Sequence, residues 1–181
     1  MPMVKDREYR QMSLPLSVAG KTKRIDSSFY VEGYATTFNK PYLLYEYDGM
    51  KYYEVIDRNA LAGADMTDVI MQYNHEGKVL ARQSNHTLGI EADENGLFTF
   101  ADLSKSRAAQ DLYEEISNGL ITKMSWAFTV AEDSYNKDTH TRTILKIKKV
   151  YDVSAVSCPA NADTDISARS FFDGVIEAER R

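Results

Sequence analysis

A single cysteine, Cys158, is all the thiol this 181-residue chain contains, so no internal disulfide can staple it. With no signal-peptide pattern at the start of the sequence, that usage points to a reducing, cytosolic setting. No long apolar run is present, which excludes a membrane-spanning helix. Excess positive charge is missing too: 22 Lys and Arg stand against 27 Asp and Glu, a formal net charge of −5. That sign gives a nucleic-acid partner no electrostatic support. Also lacking are a GxxxxGK[ST] phosphate loop, a GxGxxG after a strand and a GxSxG elbow, and of the three histidines none stands in HExxH, because the fifth position of a motif begun at His75-Glu76 is Val79. The enzyme classes that depend on those motifs lose their best signals, and neither cofactor nor metal is expected.

What is present reads as one strand-rich domain, since 43% hydrophobic content over this length suits a single packed core. The first 28 residues are mixed in charge and weakly periodic, with "QMSLPLSV" a candidate first strand. "FYVEGYATTF" alternates as a strand with Gly33 as a bulge, "KYYEVI" is a second strand that enters a turn or short helix at "DRNALAGA", and "DVIMQYNH" is a third that ends on His75. "HTLGIEADENGLFTFADL" holds two strand-like runs divided by "DENG", and its Asn95-Gly96 pair predicts a hairpin with positive φ.

The one clear helix is "SKSRAAQDLYEEISNG". Ala108, Ala109, Leu112, Tyr113 and Ile116 share a face, Ser104 or Ser106 can cap its free N–H groups, and Gly119 supplies a left-handed stop. "LITKMSWAFTV" and "HTRTILKIKKVYDVSAVSC" then read as a hairpin of two long strands around an exposed polar turn at "EDSYNKDT", which holds Asp133 and Asp138. The tail "DISARSFFDGVIEAERR" reads as a terminal helix interrupted or begun near Gly174.

Chemistry narrows to a serine or cysteine nucleophile with a histidine base. Ser125 lies among the bulky apolar residues of "KMSWAF", where a hydroxyl fills a core poorly; it is either a strand serine bonded to backbone or a nucleophile, and the residue alone leaves both readings open. His75, in "YNHEG", can equally cap a strand or act as a base. Asp152 reads as an outward strand carboxylate, and Cys158, before Pro159, as a small buried hydrophobe, since no neighbouring cation in sequence would lower its pKa.

Taken in order, "VEGYATTFN", "YEVIDRNAL", "VIMQYNHEG", "ENGLFTFADL", "NGLITKMSWAFTV" and "YDVSAVSCPANADT" resemble the prohead, or capsid maturation, proteases of tailed bacteriophages, relatives of the herpesvirus assemblin serine proteases. The resemblance runs from about residue 30 to residue 168. It implies a mainly β, α+β fold: a small, mostly antiparallel β-barrel surrounded by a few helices. It divides the chain into an N-terminal arm or first strand (1–28), a protease domain (29–168) and a C-terminal helix or tail (169–181). Carried over by motif, Ser125 is the nucleophile, His75 the base and Asp152 the third member, where herpesvirus enzymes carry a second histidine; neither His86 nor His140 replaces it. The turn Pro159-Ala160-Asn161 is the candidate for oxyanion donors. The implied substrate is the scaffold, or the scaffolding domain of the major capsid protein, inside the procapsid in the bacterial host cytoplasm, followed by the protease itself. Self-cleavage is expected in the loosely packed first 28 residues and in the tail, and self-association is possible for the family. Two alternatives remain: a non-catalytic capsid- or scaffold-associated β-domain, and a cysteine hydrolase that uses Cys158 with His75.

Overall fold

The computed structural model describes residues 2–18, 23–157, 173–177 and 179–180. Among the described residues the strands and helix α1 follow in the order β1 (Glu8–Pro15), β2 (Tyr30–Thr37), β3 (Tyr42–Tyr47), β4 (Met50–Ile56), β5 (Ile70–Tyr73), β6 (Glu76–Arg82), β7 (Leu88–Ala92), β8 (Gly96–Asp102), α1 (Arg107–Ser117), β9 (Lys123–Asn136) and β10 (Thr141–Val156). The chain is mainly β, as expected. The expected closed barrel is not formed: the described strands make two open sheets, one of seven strands and one of three. The path β1-β9-β10-β4-β3 ends on β1 and β3, which do not pair with each other.

The larger sheet is organised by β10, whose 16 residues serve different neighbours along their length. β9 lies antiparallel to it throughout. On the other side Thr141–Ile144 pair in parallel with β4, and Asp152 and Ala155 pair in parallel with β5. The middle of β10 is served by the β4–β5 connection instead: Ile147 N–H donates to Ala60 C=O at 2.8 Å and Val150 N–H to Asp65 C=O at 3.0 Å. Register shifts between Ile144 and Asp152 bend the strand so that it can change partners, which is the ordinary effect of bulges.

β2, β8 and β7 form the smaller sheet, with β8 central and buried at every position. It meets the larger sheet through the bridge between Ser17 and Glu32. The β7–β8 hairpin stands where the sequence places it, but neither Asn95 nor Gly96 has positive φ. Asp93 instead accepts the N–H groups of Asn95 and Gly96 at 2.8 and 2.9 Å. Gly96 is required by proximity, because a Cβ there would lie 2.0 Å from the Thr36 carbonyl oxygen. The bulge expected at Gly33 falls between Tyr34 and Thr36, and Gly33 itself pairs with Thr99.

Helix α1 is capped by Ser106, whose Oγ accepts from Ala109 N–H at 3.1 Å, and is followed by left-handed Gly119. It buries Ala109, Leu112 and Ile116 in the main core beside Trp126 and Phe128. Residues 173–177 are helical. Two strands escaped the sequence reading, β3 and β6: the first four residues of β6 are exposed, and its opening Glu76-Gly77-Lys78 reads as a polar turn.

A buried ion network ties the larger sheet together. Arg10 Nε donates to Glu54 at 2.8 Å and its Nη2 to Glu8 at 2.6 Å, while Arg142 reaches Glu8 at 2.6 Å, Glu54 at 3.1 Å and Asp133 at 2.8 Å. Tyr42 O–H also donates to Glu54. Five strands thus contribute charge or hydroxyl to one cluster. Burial alone would push the Glu54 carboxyl up, but the guanidinium groups of Arg10 and Arg142 outweigh it and hold it below its ordinary value. Asp133, expected in an exposed turn, belongs to this cluster with its side chain 2% exposed and also accepts Met3 N–H at 3.0 Å. The first strand is likewise no loose arm: Val4 and Glu8 are buried and β1 pairs with β9 from Glu8 onward. Self-cleavage within residues 8–12 would therefore first have to open this ladder.

Candidate active site

Ser125 is placed by the first half of β9, where Met124 to Val130 are all buried because the sheet is covered on both faces. Side chains alternate along a strand, so Met124 and Trp126, both in the main core, face away from Ser125. Across the ladder Ser125 pairs with Ser154, and Asp152 pairs with Ala127. Ser125, Ser154 and Asp152 therefore occupy one patch of one sheet face.

His75 arrives from the side. β5 and β6 are joined by the two-residue turn Asn74-His75, since Tyr73 pairs with Glu76. Both turn residues are left-handed, with φ of +53° and +62°, as a tight hairpin demands. Asparagine tolerates this region; a histidine without a local need for it is held at a cost of about 1 kcal/mol or more. Asn74 secures the turn: its N–H donates to Ala155 C=O at 2.9 Å, and its Oδ1 accepts Ser157 N–H at 3.1 Å.

The turn folds the imidazole over β10. His75 Nδ1 lies 2.5 Å from Asp152 Oδ1, and its Nε2 lies 2.8 Å from Ser125 Oγ. A carboxylate only accepts, so Nδ1–H donates to Asp152 and the Nε2 lone pair faces the serine hydroxyl. The histidine side chain is 2% exposed, and Ser125 and Asp152 are also buried. Such shielding strengthens each polar contact. The Tyr9 ring meets the imidazole edge-on at 4.8 Å and 72°.

The structure thus brings together the three residues singled out by motif, Ser125, His75 and Asp152. It separates the other histidines from them: His86 is exposed beside a 3-10 turn (Gln83–Asn85), and His140 lies at the far end of the β9–β10 hairpin, 3.3 Å from Tyr135 Oη. Cys158 and Pro159-Ala160-Asn161 lie outside the described residues. Among the described residues no cluster of His, Cys, Asp and Glu could hold a metal ion.

One residue escaped the sequence reading. Ser154, wholly buried, donates to Asp152 Oδ1 at 2.6 Å, so two donors, Ser154 and His75, converge on that oxygen. The signal was available: Ser154 stands two residues beyond Asp152, and in a strand that spacing returns to the same face.

The arrangement allows Ser125 to lose a proton to His75 while Asp152 balances the imidazolium. The chain is 30% identical to the prohead protease of Enterobacteria phage HK97 over 145 residues, which cover 80% of this chain and 61% of that protein. The aligned part therefore spans about three fifths of that relative's length. No solved structure matches this chain. The family model described as caudovirus prohead serine protease matches residues 17–174, which include Ser125, His75 and Asp152. The chain belongs to the caudovirus prohead serine protease family.

Proposed function

We propose that this chain is a serine endopeptidase of phage capsid maturation, which cuts the scaffold or the scaffolding domain of the major capsid protein inside the procapsid and afterwards itself. The observation that carries the reading is His75 Nε2 at 2.8 Å from Ser125 Oγ with Nδ1 on Asp152. Ser125 Oγ attacks the peptide carbonyl as His75 takes its proton, and the protonated His75 returns it to the leaving amine. The resulting acyl-serine is cleared by a water that His75 deprotonates. Asp152 fixes the tautomer and stabilises the imidazolium. Pro159-Ala160-Asn161 remains the candidate for oxyanion donors, with only the last two residues able to offer N–H groups.

Co-expression of the chain with its capsid protein tests this, with intact masses compared between wild type and Ser125→Ala. Defined trimming that needs Ser125, together with fluorophosphonate labelling at that residue, is the expected result. Trimming that survives in Ser125→Ala but stops on thiol alkylation would transfer the nucleophile to Cys158. Assembly with no trimming and no labelling would make the chain a non-catalytic capsid domain.

A further inference from the structure

A groove of about 560 Å3 runs between the β5–β6 hairpin and α1. Leu80 and Leu112 line it from the core, and Tyr73 and Leu120 line it while remaining 38% and 72% exposed. Among the described residues the exposed large apolar side chains are Leu43, Tyr47 and Met50 on the β3–β4 hairpin, Val79 on β6, and Tyr73 and Leu120 in the lining of this groove. Its charged lining is one-sided, with Glu76, Asp111 and Glu115 against Lys78.

The groove abuts the catalytic groups. Tyr73 and Glu76 are the pair that closes the turn holding His75. Ile121, also in the lining, precedes Ser125 by four residues, a span of at most about 14 Å even for a fully extended chain. Among the described residues β6 pairs only with β5, and its stretch Glu76–Val79 is exposed. An extended chain can pair with such an edge through its backbone while alternate side chains enter a neighbouring pocket.

We infer that this groove is the specificity subsite: it takes a large apolar side chain of the polypeptide substrate within about four residues of the bond cut, with the substrate backbone along β6. The acidic lining selects Lys or Arg beside that anchor. The inference rests on Ser125 being the nucleophile.

Full-length protein is tested on randomised 14-residue synthetic peptides, with cleavage sites read by mass spectrometry and Ser125 labelling by a small fluorophosphonate followed in parallel. Wild-type cuts are expected to share a large apolar residue at one fixed position with a basic neighbour. Leu120→Asp and Ala108→Trp should lower kcat/KM for those peptides about tenfold to a hundredfold, with Ser125 labelled at the wild-type rate. Asp111→Lys combined with Glu115→Lys should turn the neighbour preference from basic to acidic. Leu120 is exposed, so its variant keeps the fold if Ala108→Trp does not. Unchanged apolar preference in Leu120→Asp with normal labelling overturns the subsite, and a wild-type protein unlabelled at Ser125 overturns the catalytic reading beneath it.

Discussion

Replacing Asp152 by asparagine separates the two jobs that the proposed mechanism gives to one carboxylate, holding the imidazole and balancing its charge. Asp152 Oδ1 receives both His75 Nδ1, at 2.5 Å, and Ser154 Oγ, at 2.6 Å. An asparagine whose carbonyl oxygen keeps that place can still accept both donors, so the tautomer that leaves Nε2 free toward Ser125 has local support. The charge has no substitute. Two unit charges about 4 Å apart at an effective dielectric of about 20 interact by about 4 kcal/mol, and at about 1.4 kcal/mol per decade this amounts to roughly three orders of magnitude in rate. Turnover of a capsid-derived peptide by Asp152→Asn should therefore fall about a thousandfold, while the thermal melt stays close to that of wild type. Asp138→Asn is the control, because Asp138 is exposed on the β9–β10 turn; Asp133 cannot serve, being part of the buried ion network. If Asp152→Asn melts normally and turns over near the wild-type rate, the imidazolium needs no partner and the site works as a Ser-His dyad.

Ser125→Ala removes one oxygen from a packed strand and should abolish peptide turnover without shifting the melt, and His75→Ala should lose nearly as much, since members of a catalytic unit are not additive; residual trimming at the wild-type rate in either would reassign that role. Ser154→Ala takes one donor from a buried carboxylate, a bond worth about 1.5–3 kcal/mol, and should slow turnover about tenfold to a hundredfold, with partial rescue by Ser154→Thr. Glu54→Gln leaves two buried guanidinium groups short of charge, so it should cost about 3–5 kcal/mol of stability, read by denaturant melts at neutral pH. The same carboxyl sets an acid limit. Because its folded value is held below the unfolded one of about 4.3, its stabilisation is complete above that pH and fades as pH falls through the folded value. Wild-type stability should thus drop below about pH 4, and Glu54→Gln should show a shallower acid slope.

Much of this protein is legible along the chain. Local spacing alone set the helix at Arg107–Ser117, because its apolar face, its Ser106 cap and its Gly119 stop all lie within a few turns of one another. Alternating apolar residues and turn chemistry likewise marked the long β9–β10 hairpin and the strands β2, β5 and β8, although β5 ends at Tyr73 and leaves His75 in the turn, and the order of six motifs singled out Ser125, His75 and Asp152. Other features depended on contacts that no local pattern encodes. Glu8, Arg10, Glu54, Asp133 and Arg142 look like ordinary surface charges in sequence, and only the crossing of their strands makes them each other's solvent. Gly96 reads as a positive-φ turn residue, whereas its need for no side chain comes from Thr36, sixty residues away. The barrel that the resemblance implied failed for the same reason, since closure depends on whether distant edges such as β1 and β3 meet, and they do not. The site itself shows the division most clearly: strand alternation determines that Asp152 and Ser154 share a face, but the approach of His75 to Ser125 across β10, fifty residues apart, is fixed by the parallel register of β5 on β10 and the left-handed turn that ends it, and those exist only in the folded chain.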